Sequence, residues 1–247
     1  LLYFIYAMIP LIKDKLIVNG SVLGWLNNAN IKSLKIPIPK DKQMMIEWVN
    51  KITEPYNEKL DKEQRTIELE KELQERVKTI SENEDCEEKT IDEIFSFKHG
   101  YGFSSNLFTT DGVSLLSIKH IPKLCFDKCK YIEQDIKYKE HILNDKELLI
   151  AMSGNTIGKY VLYRKDKNVY CNQRVGRFTS KDINPIYIYY QLINIDLQKI
   201  ILELSSSSAQ PNISYDNLKN IKIRIPKNKQ LIQDMETQFQ ELEQLHV

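Results

Sequence analysis

Apolar and polar positions alternate over two short stretches of this chain, and then the period changes. In "LKIPIP" Leu34, Ile36 and Ile38 share one face; in "IKIRIP" Ile221, Ile223 and Ile225 do the same. Alternation closed by proline predicts a short strand ended by a turn. Apolar residues then recur at steps of three, four or their sums. They fall at Met45, Trp48, Ile52, Tyr56, Leu60, Ile67, Leu73, Val77 and Ile80 after the first stretch, and at Ile232, Met235, Phe239 and Leu242 after the second. That period predicts helices with the apolar stripe on one face. The first helix spans roughly 40 residues, about 60 Å at the helical rise. Pro55 is expected to kink or divide it, with Thr53 capping the second half. A narrow stripe on so long a helix calls for a partner helix, and the second helix, packed antiparallel, is the natural one. The residues expected at that seam are Trp48, Ile52, Leu60, Ile67, Leu73 and Val77.

The two strand–helix stretches are copies. At a constant offset of 187 residues, Pro39, Lys40, Lys42 and Gln43 meet the identical Pro226, Lys227, Lys229 and Gln230 without a gap. An aromatic-aliphatic stretch with helical character precedes each copy, "LLYFIYAMIPLI" at the start and "IYIYYQLINIDLQKIILEL" before the second. An internal repeat therefore organises the chain. Between the helices, "SLLSIKHI", "ELLIAMSG", "KYVLYR" and "VGRFTS" read as short strands separated by Gly, Asn and Asp. They suit one compact domain of about 135 residues. The expected fold class is α+β: a mixed, mainly β domain with long helices forming an antiparallel, coiled-coil-like pair.

Composition narrows this further. With 247 residues, 42% hydrophobic and 28% charged, the chain can bury a core and reads as soluble. Net charge is only +1, but its distribution is uneven. Residues 53–88 carry 6 Lys/Arg against 13 Asp/Glu, whereas residues 89–227 carry 21 against 14. An acidic helix joined to a basic domain points to a polyanion-binding module beside a protein-facing element. Cys86, Cys125, Cys129 and Cys171 form no disulfide framework in a chain this long, and reduced thiols in the cytoplasm are expected. The opening apolar stretch is too short to span a bilayer and lacks a signal peptide's basic flank. Because the chain opens on Leu1, it is expected to be a piece whose start lies inside a domain.

The chain carries no GxGxxG, P-loop, HExxH, Gly-x-Ser-x-Gly or adenine-methyltransferase tetrad. Two stretches hold other chemistry. "KHGYGFSSNLFTTDGVSLLSIKHI" offers Lys98, Tyr101, Phe103, Lys119 and His120 around glycines and a strand. "ELLIAMSGNTIGKYVLYRKDKNVYCNQRVGRF" offers Ser153, Asn155, Thr156 and Lys159 on a tight turn, then Asn172, Gln173, Arg174 and Arg177. Glycine lets backbone N–H groups approach phosphate, and Asn, Gln and Arg can bond base edges bidentately. The glycines equally suit plain hairpin turns, and Asn172 and Gln173 equally suit internal bonds that brace a loop.

"DGVSLLSIKHI", "LLIAMSGNTIGK", "NQRVGR", "IYYQLIN", "AQPNIS" and the repeated "IPIPKDKQ"/"IRIPKNKQ" stand here in an order that resembles the specificity (S) subunits of type I restriction-modification systems. The resemblance implies a sequence-specific DNA-recognition subunit, not itself an enzyme. Residues 1–40 would be the tail of a first target-recognition domain and 41–87 the central long helix. Residues 88–226 would be a complete second recognition domain, and 227–247 the start of a truncated final helix. It also implies double-stranded DNA with a bipartite site, methyltransferase (M) subunits and a restriction-motor (R) subunit as partners, and no membrane. S-adenosylmethionine, ATP and Mg would belong to those partner subunits, with no cofactor in this chain. Two other readings stay open: the C-terminal specificity region of a single-chain restriction-methyltransferase, and a helical scaffold with an incidental β domain.

Overall fold

The computed structural model describes residues 40–245 apart from 122, 125, 127–128 and 206–211, together with the isolated positions 32 and 35. The expected tail of a first domain, the first strand-like stretch and the start of "AQPNIS" lie outside the described residues. In chain order the main elements are helix α1 (Lys42–Asn83), strands β1 (Cys86–Thr90), β2 (Phe95–His99), β3 (Phe108–Thr109), β4 (Val113–Leu116) and β5 (Lys130–Ile132). There follow β6 (Leu148–Ala151), β7 (Tyr160–Leu162), β8 (Val169–Cys171), β9 (Val175–Ser180), helices α2 (Pro185–Asn194) and α3 (Leu197–Ser205), β10 (Lys222–Pro226) and α4 (Glu236–Leu245).

Asp41 starts α1: its carboxylate accepts the amides of Gln43 (2.8 Å) and Met44 (3.3 Å), the bonding of an N-cap. Pro55 does not divide the helix, which runs through it as one element. Only the single amide bond that proline cannot donate is forfeited. Thr53 is not a cap either, since its hydroxyl donates back to the Val49 carbonyl at 2.9 Å.

One compact unit, Leu69–Gln244, holds the last turns of α1, the β domain and α4. Strand β1 pairs antiparallel with β10, Cys86 opposite Pro226, and the Lys227 amide continues the ladder to the Asp85 carbonyl at 3.0 Å. The helices extend the same register, for Arg76 Nη1 donates to Gln238 Oε1 at 2.8 Å. Leu69, Leu73 and Val77 of α1 and Met235, Phe239 and Leu242 of α4 are all fully or almost fully buried. That burial and the Arg76–Gln238 bond fit an antiparallel helix pair at the last turns of α1. Of the expected seam only Leu73 and Val77 are buried in it. Trp48, Ile52, Leu60 and Ile67, expected along the same stripe, are 57, 36, 45 and 61% exposed.

The domain is built from two four-stranded sheets besides the β1–β10 ribbon. One has the order β2-β9-β6-β7 and is antiparallel; the other has the order β3-β5-β4-β8, with β4 and β8 parallel. Leu116, Leu149, Tyr163, Val169, Cys171 and Val175 form one core cluster, and Phe103, Val113, Leu115, Ile132 and Tyr170 another. Helix α2 is capped by Asn184, whose side chain accepts the Ile186 amide, with Pro185 pre-set in the first turn. Gln191 fastens it to β10 by donating to the Arg224 carbonyl at 2.9 Å. The chain passes from the second sheet to the first between β8 and β9, and residues 172–174 are that crossing.

Candidate nucleic-acid interface

The crossing turn is gripped from both sheets. Asn172 donates its amide to the Leu116 carbonyl at 2.9 Å, and the Arg174 carbonyl accepts from the Met152 amide at 2.9 Å. Inside the turn, the Val175 amide meets the Asn172 carbonyl at 3.0 Å and Asn172 Oδ1 accepts the Arg174 amide at 3.1 Å. Tyr101 bridges to Asn172 and stacks on His141, with ring centroids 4.4 Å apart. Gly100 is required here, because a Cβ on it would lie 2.1 Å from the Asn172 carbonyl oxygen. The side chains of Gln173 and Arg174 stand exposed at the tip. Backbone and Asn172 are committed to rigidity, and Gln173 and Arg174 are left for contact.

Two clefts flank this ridge, and both are lined by Gln173 and Arg174. One, of about 360 Å3, adds Lys119, Lys130, His120 and apolar Phe108 and Leu115. The Lys130 ammonium is held 3.9 Å over the Phe108 ring, a cation–π contact. The other, of about 730 Å3, adds Ser153, Gly154, Asn155, His99, Asn212 and Tyr215. Tyr215 lies flat on Phe97, with centroids 4.3 Å apart, and donates its hydroxyl to Asp92. Gly154 sits at φ +75°, in the left-handed region where glycine costs least. Among the described residues no carboxylate lines either cleft, and none pairs with Lys119, Lys130 or Arg174. A third cleft, at the foot of the helix pair, is different: Glu87, Glu93, Asp182 and Glu236 line it together with Lys89, Lys181, Lys227 and Lys229.

The expected contact residues therefore separate. Lys119, Ser153, Asn155, Asn172, Gln173 and Arg174 gather at the ridge and its clefts, with Tyr101 beneath the turn. Lys98 is exposed on β2, and Lys159 is half-buried before β7, neither of them lining the clefts. Thr156 and Ser153 are half-buried, and the hydroxyls of both are covered. Three expectations are corrected, since their side chains are interior. Phe103 is 7% exposed and packs on Tyr138 and Tyr170. His120 is 5% exposed; its Nδ1 accepts the Ser117 amide at 2.9 Å, which puts the proton on Nε2. Burial, and then the charge of Lys119, pushes its pKa down.

Arg177 is the third, at 2% exposure. It lies in the middle of the first sheet and forms a forked ion pair with Glu147, Nε and Nη2 each 2.8 Å from a carboxylate oxygen. Its remaining donors reach the carbonyls of Glu140 (3.2 Å) and Ile142 (2.9 Å). Four of its five N–H donors are thus engaged in the interior. Lys130, Asn212 and Tyr215 were not anticipated. They come from strands and loops remote in sequence, and only sheet pairing brings them to the turn. Among the described residues no group of three or more His, Cys, Asp or Glu side chains could hold a metal ion, and Cys125 lies outside them. No described helix is long and apolar enough to cross a membrane.

With this geometry in view, comparison with known proteins is informative. The family described as "Type I restriction modification DNA specificity domain" matches residues 83–246. A type I restriction enzyme specificity subunit (MjaVIII) of Methanocaldococcus jannaschii is 28% identical, over 58% of this chain and 36% of that one. The chain thus spans about a third of that relative's length. The crystal structure of a type I restriction-modification S subunit from M. genitalium superposes with a TM-score of 0.57 at 16% identity, over 99% of this chain and 69% of that one. At that identity the likeness is one of fold.

Proposed function

The chain belongs to the type I restriction-modification DNA specificity family, and from that premise we propose that it recognises one half of a bipartite site in double-stranded DNA. In this reading it directs adenine methyltransferase and restriction subunits to that site and performs no chemistry itself. One observation carries the reading beyond the family: the braced turn that presents Gln173 and Arg174 stands between two clefts without carboxylates. A polyanion approaching there meets cations and neutral donors, with no carboxylate among the described lining residues to repel it. Gln173 can bond an adenine edge and Arg174 a guanine edge, each through two bonds. Asn172 serves as the brace. We assign the acidic faces of α1 to the methyltransferase subunits, since like charge turns phosphate away.

The test is to express the full-length protein with the methyltransferase subunits encoded beside it and map methylated adenines. A two-part motif is expected, and Gln173→Ala or Arg174→Ala should relax one part and leave the other unchanged. Methylation independent of this protein, or relaxation of both parts together, would contradict the proposal.

A further inference from the structure

The two clefts beside the turn differ in chemistry, and this difference assigns the two DNA strands. We propose that the Gln173–Arg174 ridge enters a groove and that each flanking cleft takes the backbone of one strand by its own means. The Lys119/Lys130 cleft would hold one strand through charge. The cleft of Gly154, Asn155 and Asn212 would hold the other through neutral hydrogen bonds. The inference rests on the recognition reading above and adds an orientation to it.

Four observations converge on it. The ridge lines both clefts, so anything gripping its tip has material on either side. Lys130 is pre-positioned by the Phe108 ring, and Lys119 projects from the turn at Ile118–His120 into the same cleft. On the opposite side no lysine among the described residues lines the cleft; apart from the shared Gln173 and Arg174, its polar lining is Ser, Asn, Tyr and His, with the Ser153 hydroxyl covered. Both sides lack carboxylates among the described residues, the condition a phosphate backbone needs on each flank. A ridge of one turn is narrow enough for the major groove of B-DNA, about 12 Å wide, whose two edges are opposite strands.

Each ammonium that neutralises one phosphate contributes about 0.9 to the slope of log K against log salt. Neutral donors contribute affinity without that slope. The experiment measures binding of the full chain to a duplex carrying the mapped motif at several salt concentrations. Lys119→Ala and Lys130→Ala should each lower the slope by about one. Asn155→Ala and Asn212→Ala should weaken binding roughly 2- to 10-fold at every salt concentration, with the slope unchanged. Methylphosphonate linkages in one strand only should erase the lysine effect. A slope unmoved by both lysine changes, or lowered by the asparagine changes, would overturn the assignment. So would lysine effects erased equally from either strand. Absence of binding by the unsubstituted chain would instead overturn the recognition reading, and this inference with it.

Discussion

Replacing Arg177 by alanine strands a buried carboxylate. Glu147, 2% exposed, would keep only the Asn144 amide at 2.8 Å, and the carbonyls of Glu140 and Ile142 would lose their donors. Removing one partner of a buried ion pair costs about 3–5 kcal/mol. In a domain of this size 1 kcal/mol moves the melting temperature by about 2–4 °C, so Arg177→Ala should melt roughly 6–20 °C lower. The double change Arg177→Met with Glu147→Leu should recover much of that loss, because no charge is then left unpaired. Circular dichroism melts and denaturant midpoints give the stability. DNA titration at a temperature where both proteins are folded gives the recognition. If Arg177→Ala melts within about 2 °C of the unsubstituted chain, the ion pair does not hold the sheet as described. If it keeps its stability and loses sequence discrimination, Arg177 contacts DNA after all.

Three further outcomes follow from burial. Leu73→Asp should cost about 3 kcal/mol or more, because it places a charge in the helix seam; Leu60→Asp, at an exposed site, should stay within about 0.5 kcal/mol. Equal losses in denaturant melts would refute the short seam. His120 has a folded pKa below its ordinary 6.5, so the unfolded chain binds the extra proton and stability should fall as pH drops below 6.5, levelling off under the folded pKa. His120→Asn keeps an acceptor for the Ser117 amide and should flatten that decline; superimposable pH profiles would exclude His120 as its source. Burial pushes the Cys171 thiol up to about 12, so mass spectrometry should find it alkylated only as the domain unfolds, and rapid labelling of the native chain near pH 8 would contradict its position.

Period was the most legible feature of the sequence. The stripe from Met45 to Ile80 did become one helix, and "ELLIAMSG", "KYVLYR" and "VGRFTS" did become β6, β7 and β9. "SLLSIKHI" is a strand only to Leu116; Ile118–His120 then wind into a 3-10 turn, a local bend that alternation does not register. Which stripe positions are buried was not legible, since Leu60 and Leu73 are the same residue type on one stripe, yet Leu60 is 45% exposed and Leu73 fully buried. Residue type found the turn but could not separate its members. Arg174 and Arg177 stand three apart, and only the sheet decides that one is at the tip and the other faces Glu147. Asn172 was open to two roles, and its bond to the Arg174 amide fits the brace. Lys130 was invisible for a topological reason: β5 brings it to the cleft by pairing with β4.

The central claim is that Gln173 and Arg174 read the half-site from a rigid turn. Its most direct test is the difference in binding free energy between the mapped duplex and a scrambled one, measured for the unsubstituted chain, Gln173→Ala and Arg174→Ala. Each substitution should reduce that difference by about 1–3 kcal/mol and leave binding to the scrambled duplex nearly unchanged for Gln173→Ala. Full discrimination retained by both folded variants would contradict the claim.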